Sequence, residues 1–202
     1  MNSNPLVPIW EAYLVVVEGL RVSKRVVNFS LNATEALNAL DGSENEMIRQ
    51  VTFEKHKLGL NLLNRCKKIN QVSEMTLQYS SGEVEDLFVL SLWASFERYL
   101  RDFFQEKGEK IQEILPYDLA DVYYEHLYKE IEYWKPAEIL SILKRSLFKN
   151  NQQLIELAED VLKYRNWVAH GRNPDNPAPV NVTSPMAYSR LDAIINILIA
   201  NQ

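Results

Sequence analysis

The chain of 202 residues has one cysteine, Cys66, only three histidines, and no apolar run long enough to span a bilayer. One cysteine excludes an internal disulfide and fits a reducing cytoplasm. Three scattered histidines beside one cysteine give no metal-binding spacing, so neither a metal nor a cofactor is expected. The longest apolar runs, 13–17 and 193–200, fall well short of the roughly 20 residues that a spanning helix requires. No Lys or Arg precedes the first of them, which argues against a secretory leader. The expected setting is soluble and cytoplasmic, with no membrane partner. Positive charge is also scarce: 22 Lys and Arg stand against 27 Asp and Glu, a net charge of −5. That disfavours broad, sequence-blind binding to nucleic acid, which rests on cations neutralising phosphates. A local basic groove and a brief enzymatic encounter with RNA remain compatible with it.

Helix breakers are few as well, with 6 glycines and 8 prolines, most of the prolines near the two ends. Apolar residues in the breaker-free middle recur at three and four, the helical period, and no strand-like alternation, internal repeat or low-complexity tract is found. The apolar content of 47% is enough for a core without metals or disulfides. The pattern predicts an all-α protein of about seven helices. The first covers 9–40, with Trp10, Leu14, Val17 and Leu20 as its apolar stripe, and is closed by Asp41-Gly42-Ser43. The second covers 44–77, with Ser43 and Glu46 as a capping box. Ser80-Ser81-Gly82 reads as a break. A third helix over 83–112 puts Trp93, Phe96, Leu100, Phe103 and Phe104 on one face, the mark of a core helix. Further helices are expected over 118–133, over 136–148 with Pro136 in the first turn, over 151–170, and over 184–200 with Ser184 as N-cap. The architecture expected is a helical bundle over 81–202 preceded by a two-helix N-terminal extension over 1–80.

The segment that draws attention is Tyr164-Arg165-Asn166-Trp167-Val168-Ala169-His170-Gly171-Arg172. On a regular helix, positions five apart lie about 140° apart around the axis. Arg165 and His170 therefore share no face unless the helix ends near His170 or Arg165 reaches a site shared with a second subunit. Gly171 is placed to end the helix in a left-handed conformation. Asn166, four before His170, is placed to hydrogen-bond the imidazole and orient it. The dipole at a helix C-terminus favours Arg and His without any function, so a purely structural reading stands beside the functional one.

This segment resembles the signature of the HEPN superfamily: an Arg followed by a polar residue, with four to six residues between that Arg and a His at the end of a helix. Ala169 before the His and Gly171 after it match the same pattern, as does the layout of motif helix, Pro-rich loop and final apolar helix. Trp93-Ala94-Ser95-Phe96-Glu97-Arg98-Tyr99-Leu100 also looks like the first core helix of several HEPN families. The resemblance covers about 82–200 and leaves the first 80 residues unexplained. It implies a HEPN-type bundle and a metal-independent endoribonuclease in which the RNA 2′-hydroxyl attacks its own phosphodiester. In that chemistry Arg165 grips phosphate oxygens and His170 moves protons, because Arg stays charged while His titrates near neutrality. One Arg–His pair has too few groups for both proton transfers, so the resemblance further implies a homodimer with two facing motifs. Tyr164 and Trp167 then become candidates for a subunit contact.

Asn166 is the supporting residue in this reading, and Arg172, Glu97 and Arg98 are possible RNA contacts. Glu97 and Arg101, four apart, also fit a plain ion pair. A toxin or antiphage role, with an antitoxin protein as a possible partner, is implied by family association alone. Some HEPN toxins carry a modifiable Tyr two residues after the His; here that position is Arg172, so control by such modification is not expected. Arg49 and His56 have a permitted spacing too, but lack the Asn and Gly neighbours. The Lys55–Lys68 stretch reads as a solvated face, and His126 has no matching ligand set. Two alternatives stay open: a non-catalytic HEPN module that binds a nucleotide or a protein, and a structural helical interaction domain.

Overall fold

A computed structural model describes residues 3–40, 46–65 and 71–200. Among these residues it is all-helical, with no strand. The elements are α1 (Val7–Leu40), α2 (Glu46–Arg65), α3 (Gln71–Gly108), the single turn α4 (Ile111–Ile114), α5 (Tyr117–Tyr133), α6 (Pro136–Arg145), α7 (Gln152–Ala169) and α8 (Ser184–Ala200). Ser43 of the expected capping box, the Asp41-Gly42-Ser43 closure, Cys66, Lys67 and Lys68 lie outside the described residues.

The expected break at Ser80-Ser81-Gly82 does not form; α3 runs through it. A helical glycine costs about 1 kcal/mol relative to alanine, which a long helix can absorb. Gly82 has no positive φ and a Cβ there would meet nothing, so no turn is imposed at this point. The real stop comes at Gly108, followed by the i→i+3 bonds Glu109 N to Glu106 O (3.3 Å) and Lys110 N to Lys107 O (3.4 Å).

Two compact units result. One is Tyr13–Val84; the other joins the chain up to Ala12 with everything from Glu85 onward. The N-terminal stretch thus belongs with the C-terminal bundle. Asn4 explains this locally: its Nδ2 donates to Asp192 of α8 (2.6 Å) and its Oδ1 caps the Leu6 N–H (3.0 Å). Leu6 is fully buried, and Trp10 stacks on Tyr188 with ring centroids 4.6 Å apart. Of the expected α1 stripe, Trp10, Val17 and Leu20 are half-buried, while Leu14 is exposed.

The core of the second unit follows the helical period. From α3 come Val89, Leu92, Trp93, Phe96, Leu100 and Phe103; from α7, Ile155, Ala158, Val161 and Leu162; and from α8, Leu191, Ile194, Ile195 and Leu198. Residues three and four apart share a helix face, which is why these positions bury together. Phe104 sits at the edge of the core, its ring edge-on to Trp134 at 5.7 Å. Pro136 opens α6, and Glu138 reaches back to the Lys135 N–H (2.9 Å).

α8 begins differently from the expectation. Thr183, not Ser184, is the cap: Met186 N donates to Thr183 Oγ1 (3.5 Å) and Ala187 N to Thr183 O (2.9 Å). Ser184 is fully buried; its N–H donates to the Glu85 carboxylate (2.9 Å) and its hydroxyl to the Glu85 carbonyl (2.9 Å). A carboxylate at a helix N-terminus is favoured by the free N–H groups and the dipole, so Glu85 anchors the start of α8 to α3.

Candidate active site

α7 ends where the motif does. Ala169 is its last helical residue, and His170 is the C-cap, with φ −90° and ψ 15°. Gly171 has φ +86° and Arg172 has φ +52°. Arg172 N donates to Trp167 O (3.1 Å) and Gly171 N to Val168 O (3.0 Å). This pair of bonds, one spanning six residues and one spanning four, is a Schellman C-cap with Gly171 in the left-handed position. The glycine ends the helix as its place in the motif requires.

Substituting Gly171 by Ala is expected to destabilise the fold by about 1–2 kcal/mol, the penalty of a left-handed L-residue. A Cβ there meets nothing within 4 Å, so the effect is conformational rather than steric. Urea denaturation of Gly171→Ala beside Gly171→Asn checks it: Asn tolerates this conformation better and should lose less.

His170 is exposed, and among the described residues its imidazole makes no hydrogen bond. The expected bond from Asn166 to the ring is replaced by another arrangement. Asn166 Oδ1 accepts from Arg165 Nη1 (3.0 Å), while His170 meets Asn166 through the backbone, N to O at 3.0 Å. The reason is proximity: the Arg165 guanidinium folds onto its neighbour, and a charged donor outcompetes a neutral one. Arg165 and Asn166 are both half-buried.

Tyr164 and Trp167 are engaged within the chain. The Tyr164 hydroxyl donates to Asp86 Oδ1 (2.6 Å), and Trp167 Nε1 donates to Asn176 O (2.8 Å), pinning the Pro-rich loop to α7. Arg172 forms an ion pair with the other Asp86 oxygen at 2.6 Å. Asp86, only 7% exposed, therefore clamps the chain on both sides of His170. Nothing local in the sequence marks this residue. It is one acid in Glu83-Val84-Glu85-Asp86, and its partners lie near the far end of the chain.

Burial pushes the Tyr164 phenol well above its ordinary value of 10.0, and the hydrogen bond to Asp86 adds to the shift. A folded-state pKa raised above the unfolded one gives stability that is complete below the unfolded value and is lost as pH rises toward the folded value. Stability should therefore fall above pH 10.0. Tyr164→Phe, which has no proton to lose, should flatten that alkaline limb when unfolding is followed against pH.

The structure does not bring Glu97 and Arg98 to the motif. They stand eleven and twelve residues beyond Asp86 on α3, about 16–18 Å along the axis at 1.5 Å per residue. Glu97 accepts from Trp93 Nε1 (2.9 Å) and from Arg101 (2.5 Å). Arg101 in turn donates to the Ile131 and Trp134 carbonyls (2.9 and 3.0 Å), capping the C-terminus of α5. The Glu97–Arg101 pair is thus no solvated decoration; its side chains are 20% and 11% exposed. Arg98 pairs with Asp102 and Glu132. A cavity of about 360 Å³ between residues Ser3, Pro5, Ser95, Arg98, Tyr99 and Asp102 belongs to this end of α3.

Among the described residues, no cluster of His, Cys, Asp and Glu is arranged to hold a metal ion, and no helix is long and apolar enough to cross a membrane. No family model, curated protein or solved structure matches the chain.

Proposed function

We propose that the chain is a metal-independent endoribonuclease of the HEPN type. The observation that carries the reading is His170, presented to water at the C-cap of α7 and five residues after a half-buried Arg165 held by Asn166. An exposed histidine side chain can reach a bound substrate and serve as general acid or base. In the proposed reaction the 2′-oxygen loses its proton as it bonds to phosphorus. The 5′-oxygen leaves and takes up a proton, giving a 2′,3′-cyclic phosphate and a 5′-hydroxyl. Arg165 stabilises charge on the phosphoryl oxygens, and Asn166 supports it. Two chains, each with its motif facing the other, supply the acid and the base. A cytoplasmic toxin or antiphage effector held in check by a partner protein is the role that fits such an activity.

A second reading, a non-catalytic HEPN binding module, is favoured by one observation. Arg172 and Arg98, two cations available in principle for phosphate, are paired with carboxylates, in a chain of net charge −5.

The deciding experiment is digestion of total cellular RNA by the purified chain in EDTA, beside Arg165→Ala prepared identically. Cleavage by the wild type alone, with cyclic-phosphate ends, is the expected result. Cleavage that survives Arg165→Ala assigns the activity to another site or a contaminant. Two inactive, folded proteins favour the binding module.

A further inference from the structure

Exposed large apolar side chains are not spread evenly over the second unit. Of the eleven there, only Val7, Leu87, Leu147 and Met186 lie outside α4 and α5; the other seven fall between Ile114 and Tyr133. α5 turns Ala120 and Ile131 inward, with Tyr124 and Leu127 half-buried beside them. Its outer side carries a second stripe, Leu119, Val122, Tyr123 and Tyr133, at 47%, 65%, 58% and 83% exposure. Leu119, Val122 and Tyr123 are three and four apart and form one apolar patch; Tyr133, eleven residues after Val122, returns to the same side of the helix beyond His126, Lys129 and Glu130. Tyr117, the first residue of α5, and Ile114 of α4 are exposed as well, at 84% and 80%, but Tyr117 points away from the stripe, about 160° around the axis from Leu119. Concentrated apolar surface with a polar rim marks an interaction site, and tyrosine is enriched at such sites.

The rim decides what fits. α5 carries Asp118, Asp121, Glu125, Glu130 and Glu132 against Lys129 alone. Glu125 is paired with Lys129 and Glu132 with Arg98. Asp118, Asp121 and Glu130 have no ionic partner among the described residues. A second copy of this face would set like charge against like, and phosphate backbones or anionic lipids would meet the same repulsion. A cationic polypeptide meets attraction from Asp118 and Asp121 beside Leu119 and Val122, and from Glu130 on the face between Tyr123 and Tyr133, with apolar contact around them.

We propose that the outer face of α5 is a docking surface for a basic amphipathic helix of a partner protein. The partner lays apolar residues spaced three and four apart along Leu119, Val122, Tyr123 and Tyr133. Its Lys and Arg side chains meet Asp118, Asp121 and Glu130. The surface is independent of the nuclease reading.

The test uses two synthetic helices of roughly 18 residues, a length that spans the stripe at 1.5 Å per residue. Both carry the same leucines at three- and four-residue spacing; the remaining positions are Lys in one and Glu in the other. Fluorescence anisotropy against the full chain should show the Lys helix binding at least about tenfold more tightly than the Glu helix, by an amount that salt reduces. Val122→Ser/Tyr133→Ser should weaken Lys-helix binding at least about tenfold. Asp118→Lys/Asp121→Lys/Glu130→Lys should reverse the preference. All of these side chains are exposed, so circular dichroism should match the wild type; only Asp118→Lys, which puts a cation in the first turn of α5, should lower the melting temperature slightly. Unchanged Lys-helix binding by both variants places the peptide elsewhere and overturns the proposal, as does failure of the wild type to bind either helix. Wild-type self-association in sedimentation, abolished by Val122→Ser/Tyr133→Ser, assigns the face to a second copy and overturns it too.

Discussion

Replacing His170 by Ala is expected to lower RNA cleavage by about two to four orders of magnitude, the usual contribution of a general acid or base. The melting curve should stay where it is. The side chain is exposed and makes no hydrogen bond among the described residues, so its removal strands no buried partner. Its backbone bond to Asn166 O and the two bonds of the Schellman turn need no imidazole, and Ala accommodates φ −90° and ψ 15° without strain. A large kinetic loss without a stability loss would therefore report chemistry alone. Initial rates on a labelled RNA beside thermal melts of both proteins make the check. Retained activity would remove His170 from proton transfer. Arg165→Lys is the complementary variant: it keeps the charge but loses the planar pair of donors, and intermediate activity is expected if Arg165 grips phosphate through two bonds.

What the sequence made legible is what depends on local pattern. The α3 stripe of Trp93, Phe96, Leu100 and Phe103 is buried as its period requires, Pro136 opens α6, and Gly171 takes the left-handed position that ends α7. Each is decided within one or two helical turns. Positions decided by tertiary partners, or by competition among neighbouring side chains, were not legible. Ser80-Ser81-Gly82 looks like a break because glycine and serine are poor helix formers, yet the helix on either side carries through. Glu97 and Arg98 look available on a helical wheel, but Trp93, Arg101, Asp102 and Glu132 hold them. Asn166 sits at the spacing that could reach His170, yet its immediate neighbour Arg165 takes its oxygen. Glu85 and Asp86 could not be singled out, because their partners Ser184, Tyr164 and Arg172 come together only in the folded chain.

Asp86→Ala is expected to be among the most damaging single changes near the motif, at about 2–3 kcal/mol of stability. The carboxylate accepts from the Tyr164 hydroxyl and from Arg172, both at 2.6 Å, and its loss leaves the half-buried phenol without an acceptor. Breaking a fully buried pair costs about 3–5 kcal/mol; here Arg172, with 31% of its side chain exposed, regains water, which lowers the figure. A double-mutant cycle with Tyr164→Phe should show coupling, because both changes remove one shared bond. The kinetic consequence is separable from the stability loss. Asp86 ties the chain six residues before His170 and two after it, and Arg172 holds a left-handed φ of +52° that an L-residue adopts only under constraint. Releasing Arg172 lets the turn relax, and His170, whose ring has no hydrogen bond of its own among the described residues, then loses its orientation. In a protein still folded at the assay temperature, kcat should therefore fall more than KM rises, since positioning matters most in the transition state. Asp86→Asn keeps an acceptor for Tyr164 but drops the charge that holds Arg172. It should recover part of the stability and little of kcat. Full activity in a destabilised Asp86→Ala would confine the residue to holding the fold.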